Sequence, residues 1–108
     1  MKTRNSFVSN SSSCSFCITN NTDSSLTIKD FILENLQLIE DYNAWYGGAY
    51  TLVDCLADST CEDVLKVGNN YCEFGDEYDT PINNIFDYIL RNGGQSERFE
   101  WSFIEFNR

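Results

Sequence analysis

Histidine is absent from all 108 residues. With no imidazole to act as general base, proton shuttle or metal ligand, Ser-His-Asp and Cys-His nucleophile activation and every His-containing zinc site are excluded. Positive charge is scarce as well: seven Lys and Arg stand against seventeen Asp and Glu, a formal net charge of −10. Binding to a phosphate backbone relies on cationic side chains that displace counterions, and a polybasic membrane anchor needs the same residues, so neither is expected. Long apolar runs are missing, and none approaches the roughly 20 residues that span a bilayer. After Lys2 and Arg4 the chain is Ser/Asn-rich where a secretory leader would need an apolar stretch. The expected compartment is cytoplasmic, which makes the Asn10-Ser11-Ser12 and Asn20-Asn21-Thr22 sequons chance matches.

What is present supports one small core, with 42% hydrophobic residues and 15% aromatics. Five cysteines (Cys14, Cys17, Cys55, Cys61 and Cys72) raise the question of a disulfide or a metal. The number is odd. Cys14 and Cys17 have C-x-x-C spacing but fall in a stretch of strand composition, where alternation puts them on opposite faces. Zinc held by Cys14, Cys17, Cys55 and Cys61 is the alternative, yet five residues between Cys55 and Cys61 is not a usual knuckle spacing. The expectation is reduced, metal-free cysteines that serve as small core residues.

Residues 1–13 form a Ser/Asn-rich arm, polar except for Phe7-Val8, and residues 14–108 a single acidic domain. Cys14 to Thr19 reads as a strand, closed by the turn cluster Asn20 to Ser25. Thr27-Ile28-Lys29-Asp30 resembles a capping box that opens one long amphipathic helix over residues 28–46, stopped by Gly47-Gly48. Residues 50–57 fit a short helix capped by Thr51 as well as a strand. Ser59-Thr60-Cys61-Glu62 predicts a helix running to about Val67, and Tyr71 to Phe74 a strand. Thr80-Pro81 opens a helix with Ile82, Ile85, Phe86, Ile89 and Leu90 on its buried face. In the last segment Phe99, Trp101 and Phe103 alternate with Arg98, Glu100 and Ser102, and the phase then shifts at Ile104 as at a bulge. The expected fold is α+β: a small, mainly antiparallel sheet of about three strands with three to four helices packed on it.

From Phe7-Val8-Ser9-Asn10-Ser11-Ser12-Ser13-Cys14-Ser15-Phe16, preceded by Arg4, the chain resembles the N-terminal signature Arg-x-x-Phe-Val-Ser-Asn-Ser-Ser-Ser-Ser-Ser-Phe, with Cys14 in place of one serine. Small proteins encoded by tailed bacteriophages and some bacterial genomes carry that signature. Gly75-Asp76, Thr80-Pro81-Ile82, Asp87 to Arg91 and Phe99 to Phe103 resemble the same proteins more weakly. The resemblance implies a phage-type origin and brings no enzyme activity, cofactor or binding residue with it. For the arm three readings stand: a solvated leader, a docked arm or partner epitope, and a modified serine run.

Between Asp30 and Asp87 lie thirteen carboxylates and one base, Lys66. Such a face steers toward a cationic partner, or else simply keeps a small domain soluble. Asp30, Glu34 and Asp41 are expected along one exposed stripe of the long helix. Tyr42, Trp45, Tyr46 and Tyr50 cluster around Gly47-Gly48, as core or as an interface anchor. The acidic run Glu73 to Asp79 lacks the register of an EF-hand loop, and nothing marks a sugar cleft for carboxylate catalysis. The expected function is non-enzymatic: an accessory protein without cofactor or metal that binds a cationic, host-encoded protein, as a mimic of nucleic acid in anti-defence or host takeover. Asp30, Glu34, Asp41, Trp45, Tyr46, Phe7 and Val8 are the expected partner-binding residues. The alternative is a minor virion component that uses its N-terminal arm for assembly.

Overall fold

The computed structural model describes residues 13–107. The arm residues Phe7 and Val8, and most of the serine run, lie outside the described residues. Strand β1 (Ser13–Asn20) is the centre of the molecule, paired antiparallel with β4 (Gly68–Gly75) on one side and β6 (Phe99–Asn107) on the other. A two-residue strand, β5 (Gly94–Gln95), pairs with the far edge of β6, so the main sheet has four strands in the order β4-β1-β6-β5 rather than three. A second, two-stranded sheet joins β2 (Leu26–Thr27) to β3 (Val64–Leu65).

Alternation along β1 puts Cys14, Phe16 and Ile18 into the core and leaves Ser15, Cys17 and Thr19 half-exposed on the opposite face, so Cys14 and Cys17 point apart as a strand requires. In β6, Phe99 and Trp101 are buried and Phe103 half-buried, while Glu100 and Ser102 face out. The expected phase shift is real. Ser15 pairs with Glu105 but Phe16 with Phe103, so Ile104 is the extra residue of a β-bulge. Phe31 meets Phe86, Phe99 and Trp101 edge to face at ring separations of 5.2 to 5.6 Å, which locks a helix onto the inner sheet face.

The expected single helix over residues 28–46 is two: α1 (Ile28–Glu34) and α2 (Gln37–Tyr46). Thr27 and Asp30 form the capping box at the start of α1. The break is made by Asn35, whose side-chain amide donates to the Phe31 carbonyl, the acceptor that its own backbone N–H would take in a continuing helix. That N–H bonds Ile32 instead, and Asn35 leaves helical geometry at φ −131°.

Residues 52–56 are helix α3 (Leu52–Leu56), capped by Thr51 and Asp54. The helix expected from Ser59 to Val67 is a single 3₁₀ turn, Ser59–Glu62, because Asp58 caps it and the chain then enters β3. Helix α4 (Pro81–Ile89) begins at the Thr80 cap with proline in its first turn and buries Ile82, Ile85, Phe86 and Ile89. No helix among the described residues is long and apolar enough to cross a membrane.

Candidate functional site: an aromatic strip beside an acidic helix

The residues expected to meet a partner are dispersed by the break after α1. Asp30 is consumed by the capping box, where its carboxylate accepts the Thr27 N–H at 2.9 Å. Glu34 turns inward to the β5–β6 turn: it accepts the Arg98 backbone N–H at 2.8 Å, Nε of Arg98 at 2.6 Å, and the Ser96 hydroxyl. Burial by itself would raise the Glu34 pKa, but the Ser96 and Arg98 hydrogen bonds outweigh it and hold the carboxyl below its ordinary range. Asp41, on α2, accepts from the Gln37 side chain one turn earlier at 2.9 Å. There is no common stripe of these three carboxylates.

The exposed positions of α2 are Gln37, Glu40, Ala44, Trp45 and Tyr46, with Asp41 half-buried beside them. Trp45 is 59% exposed and Tyr46 49% exposed, so the pair lies at the surface rather than in the core. Glu40 is exposed and makes no hydrogen bond or ion pair with any described residue.

Tyr46 opens a row of rings: Tyr42, Tyr46 and Tyr50 belong to the cluster that the sequence marks, and Tyr88 joins it from α4. Tyr46 stacks on Tyr42 at 5.3 Å and meets Tyr88 at 5.0 Å, and Tyr42 also reaches Tyr50 at 5.9 Å. Beyond Tyr88 the Arg91 guanidinium lies 4.5 Å from that ring and 4.9 Å from the ring of Phe106, which is 47% exposed. Arg91 is also held by the buried Asp87, through its carbonyl at 2.6 Å and its carboxylate at 3.3 Å. The strip therefore runs from α2 across α4 to β6, with a cation clamped in the middle. Tyr88 and Phe106 were hidden because each is the residue that breaks the buried pattern of its own element.

The loop after α2 is built to one shape. Gly47 sits at φ 71°, the left-handed region where glycine is unstrained. A Cβ on Gly48 would fall 2.8 Å from both the Asn43 side-chain oxygen and the Tyr42 ring. Asn43 then clamps the returning chain, accepting from the Tyr50 N–H at 3.0 Å and donating to its carbonyl at 2.8 Å. Between α2 and this chain lies a groove of about 250 Å³ lined by Leu36, Ile39, Glu40, Asn43, Tyr50, Thr51 and Leu52.

Other acidic places are occupied by structural duties. Asp58 is buried and accepts the N–H groups of Thr60 and Ile82, both at 2.9 Å, which ties the 3₁₀ turn to the first turn of α4. Burial raises its pKa, and those two backbone bonds reverse the effect and hold it low. Glu73 accepts from the Tyr78 hydroxyl and the Asn107 amide. All five cysteines are free thiols, and among the described residues no three acidic or thiol groups are grouped to hold a metal ion. Desolvation pushes the Cys14 and Cys72 thiols up to about 12 and that of Cys55 to about 11. Comparison of the chain with protein-family models, with curated proteins and with solved structures finds no match.

Proposed function

We propose that this is a non-enzymatic accessory protein of the phage type its N-terminal signature resembles, and that it binds a cationic host protein through α2 and the adjoining aromatic strip. One observation carries the reading: Trp45 and Tyr46 are exposed on the helix that also presents Glu40 and Asp41. Tryptophan and tyrosine dominate binding energy at protein interfaces, and carboxylates around them set the sign of charge that is welcome. Internal pairing sharpens the field. Of the four bases among the described residues, Arg91 is held by Asp87 and Arg98 by Glu34, which leaves Lys29 and Lys66 to oppose the surface carboxylates. Occupation of a nucleic-acid groove on the host protein is the form of this reading that the charge supports.

The test begins with affinity capture from host lysate and continues with the purified partner. Trp45→Ala should weaken binding at least about tenfold, the scale of a buried anchor residue, without lowering the melting temperature, because the side chain is exposed. Affinity should also fall steeply as salt rises and the screening length contracts below about 8 Å. Binding indifferent to both salt and Trp45 would refute the proposal. If capture depends instead on Phe7-Val8 and returns virion proteins, the assembly role of the arm takes its place.

A further inference from the structure

From the groove beside α2 we infer that the partner inserts one arginine side chain between Leu36 and Tyr50, with Glu40 receiving the guanidinium. The inference rests on the reading of α2 as the partner-facing helix and adds the chemistry of one contact. Leu36, Ile39 and Leu52 give the groove an apolar lining, and Tyr50 contributes to its wall. Its polar lining is already engaged except for one group. Both ends of the Asn43 amide are bonded to the Tyr50 backbone, and the Thr51 hydroxyl accepts from the Asp54 N–H. Of the groove's polar side chains, Glu40 is the one with no hydrogen bond or ion pair to a described residue, and Asp54 adds a second negative charge beyond Thr51.

Size and chemistry select the occupant. About 250 Å³ falls below the roughly 300 to 1,000 Å³ of small-molecule sites but accommodates one long side chain. The apolar lining suits a methylene stem, and a carboxylate beside it calls for a cation at its end. Arginine fits better than lysine because its planar, weakly hydrated guanidinium can stack on the Tyr50 ring and donate a two-point hydrogen bond to the Glu40 carboxylate. The wall does not need to be ordered on binding. Tyr50 is clamped by Asn43 at its backbone and by the Asn84 side chain, which donates to its hydroxyl at 2.9 Å.

The experiment titrates the ¹⁵N-labelled full chain with N-acetyl-arginine N-methylamide, against the lysine and norleucine analogues. Saturable shifts confined to residues 36–43 and 50–52, strongest for arginine and reduced at least threefold by Glu40→Gln and by Leu36→Ser, are expected. Leu36 is 43% exposed, so its replacement leaves the fold intact. Unsaturable shifts spread over all carboxylates, or equal shifts from norleucine or lysine, would overturn the inference. With the captured partner, Leu36→Ser and Glu40→Gln should each lower affinity about tenfold. A partner that responds to Trp45→Ala but to neither groove variant sinks the groove and leaves the proposed function standing. Saturable, variant-sensitive arginine binding in a protein that captures no cationic partner sinks the proposed function and leaves the groove.

Discussion

Replacing Glu34 separates a structural role from a binding role. The carboxylate is the acceptor through which the end of α1 is tied to the turn between β5 and β6, and Glu34→Ala removes all three bonds at once. The Arg98 backbone N–H loses its partner in a half-buried place, at a cost of about 1 to 2 kcal/mol. The ion pair adds little, since the Arg98 side chain is 38% exposed and solvent screens it. Ser96 adds little, because its hydroxyl still accepts from the Asn35 amide and its proton can turn to water. The sum is about 2 kcal/mol, which in a domain of this size lowers the melting temperature by roughly 8 to 16 °C. Glu34→Gln keeps the shape and one acceptor, and should lose about half as much.

Thermal unfolding followed by circular dichroism measures this directly, and pH supplies a second axis. The folded Glu34 carboxyl titrates below its ordinary range, so across that interval the folded chain binds fewer protons than the unfolded one. Its contribution is complete above the ordinary carboxylate pKa and is lost as pH falls through the lower folded value. The gap between wild type and Glu34→Gln should therefore be wide at neutral pH and close on acidification. An Ala variant that melts within about 2 °C of wild type, with a gap that ignores pH, would refute the tie between α1 and the turn.

Trp101→Ala should cost about 3 to 5 kcal/mol, because the indole is buried against Phe31 at 5.2 Å; a variant melting within a few degrees of wild type would show that the sheet register is wrong. Ellman's reagent should modify Cys17 first in the native protein, as it is the one cysteine that is not buried, and equally fast reaction at a second thiol would contradict the placement. Native mass spectrometry is expected to give a metal-free chain, and one stoichiometric zinc would overturn that. Asp58→Ala strands the Thr60 and Ile82 amides and should cost roughly 2 to 4 kcal/mol, with hydrogen exchange at Ile82 accelerating beyond the global change.

Where a segment's local pattern and its tertiary environment agree, the sequence sufficed. The alternation from Arg98 to Phe103 gave the inward face of β6, and the slip at Ile104 marked the bulge, because a period of two leaves no other way to keep Cys14 and Phe106 paired. Thr80-Pro81 placed the start of α4 for an equally local reason. The misses are places where one side chain reaches across the chain. Periodicity runs straight through Asn35, since Ile32, Leu36 and Ile39 keep helical spacing, and only the Asn35 bond to Phe31, reinforced by Ser96 sixty-one residues away, breaks the helix there. Asp58 shortens the predicted helix after Ser59 by the same kind of action. The strand at Gly94–Gln95 is too short to show any alternation.

The candidate surface follows the same division. A count of carboxylates along the chain treats Asp30, Glu34, Asp41 and Asp58 alike, although one caps a helix, one ties a turn, one bonds its own helix and one is buried under two amides. Net charge says which partners would be repelled, but a cap or a buried acceptor contributes little to where a partner would sit. The outward spacing of Glu40 and Trp45 on α2, and the absence of any internal bond to Glu40 among the described residues, discriminate better. The aromatic strip adds a constraint that charge lacks. Tyr42, Tyr46 and Tyr88 come from helices that no sequence window joins, and their contact fixes α2 against α4. A partner that docks on α2 thus meets a surface whose rings are already ordered, so binding there needs little further loss of side-chain freedom.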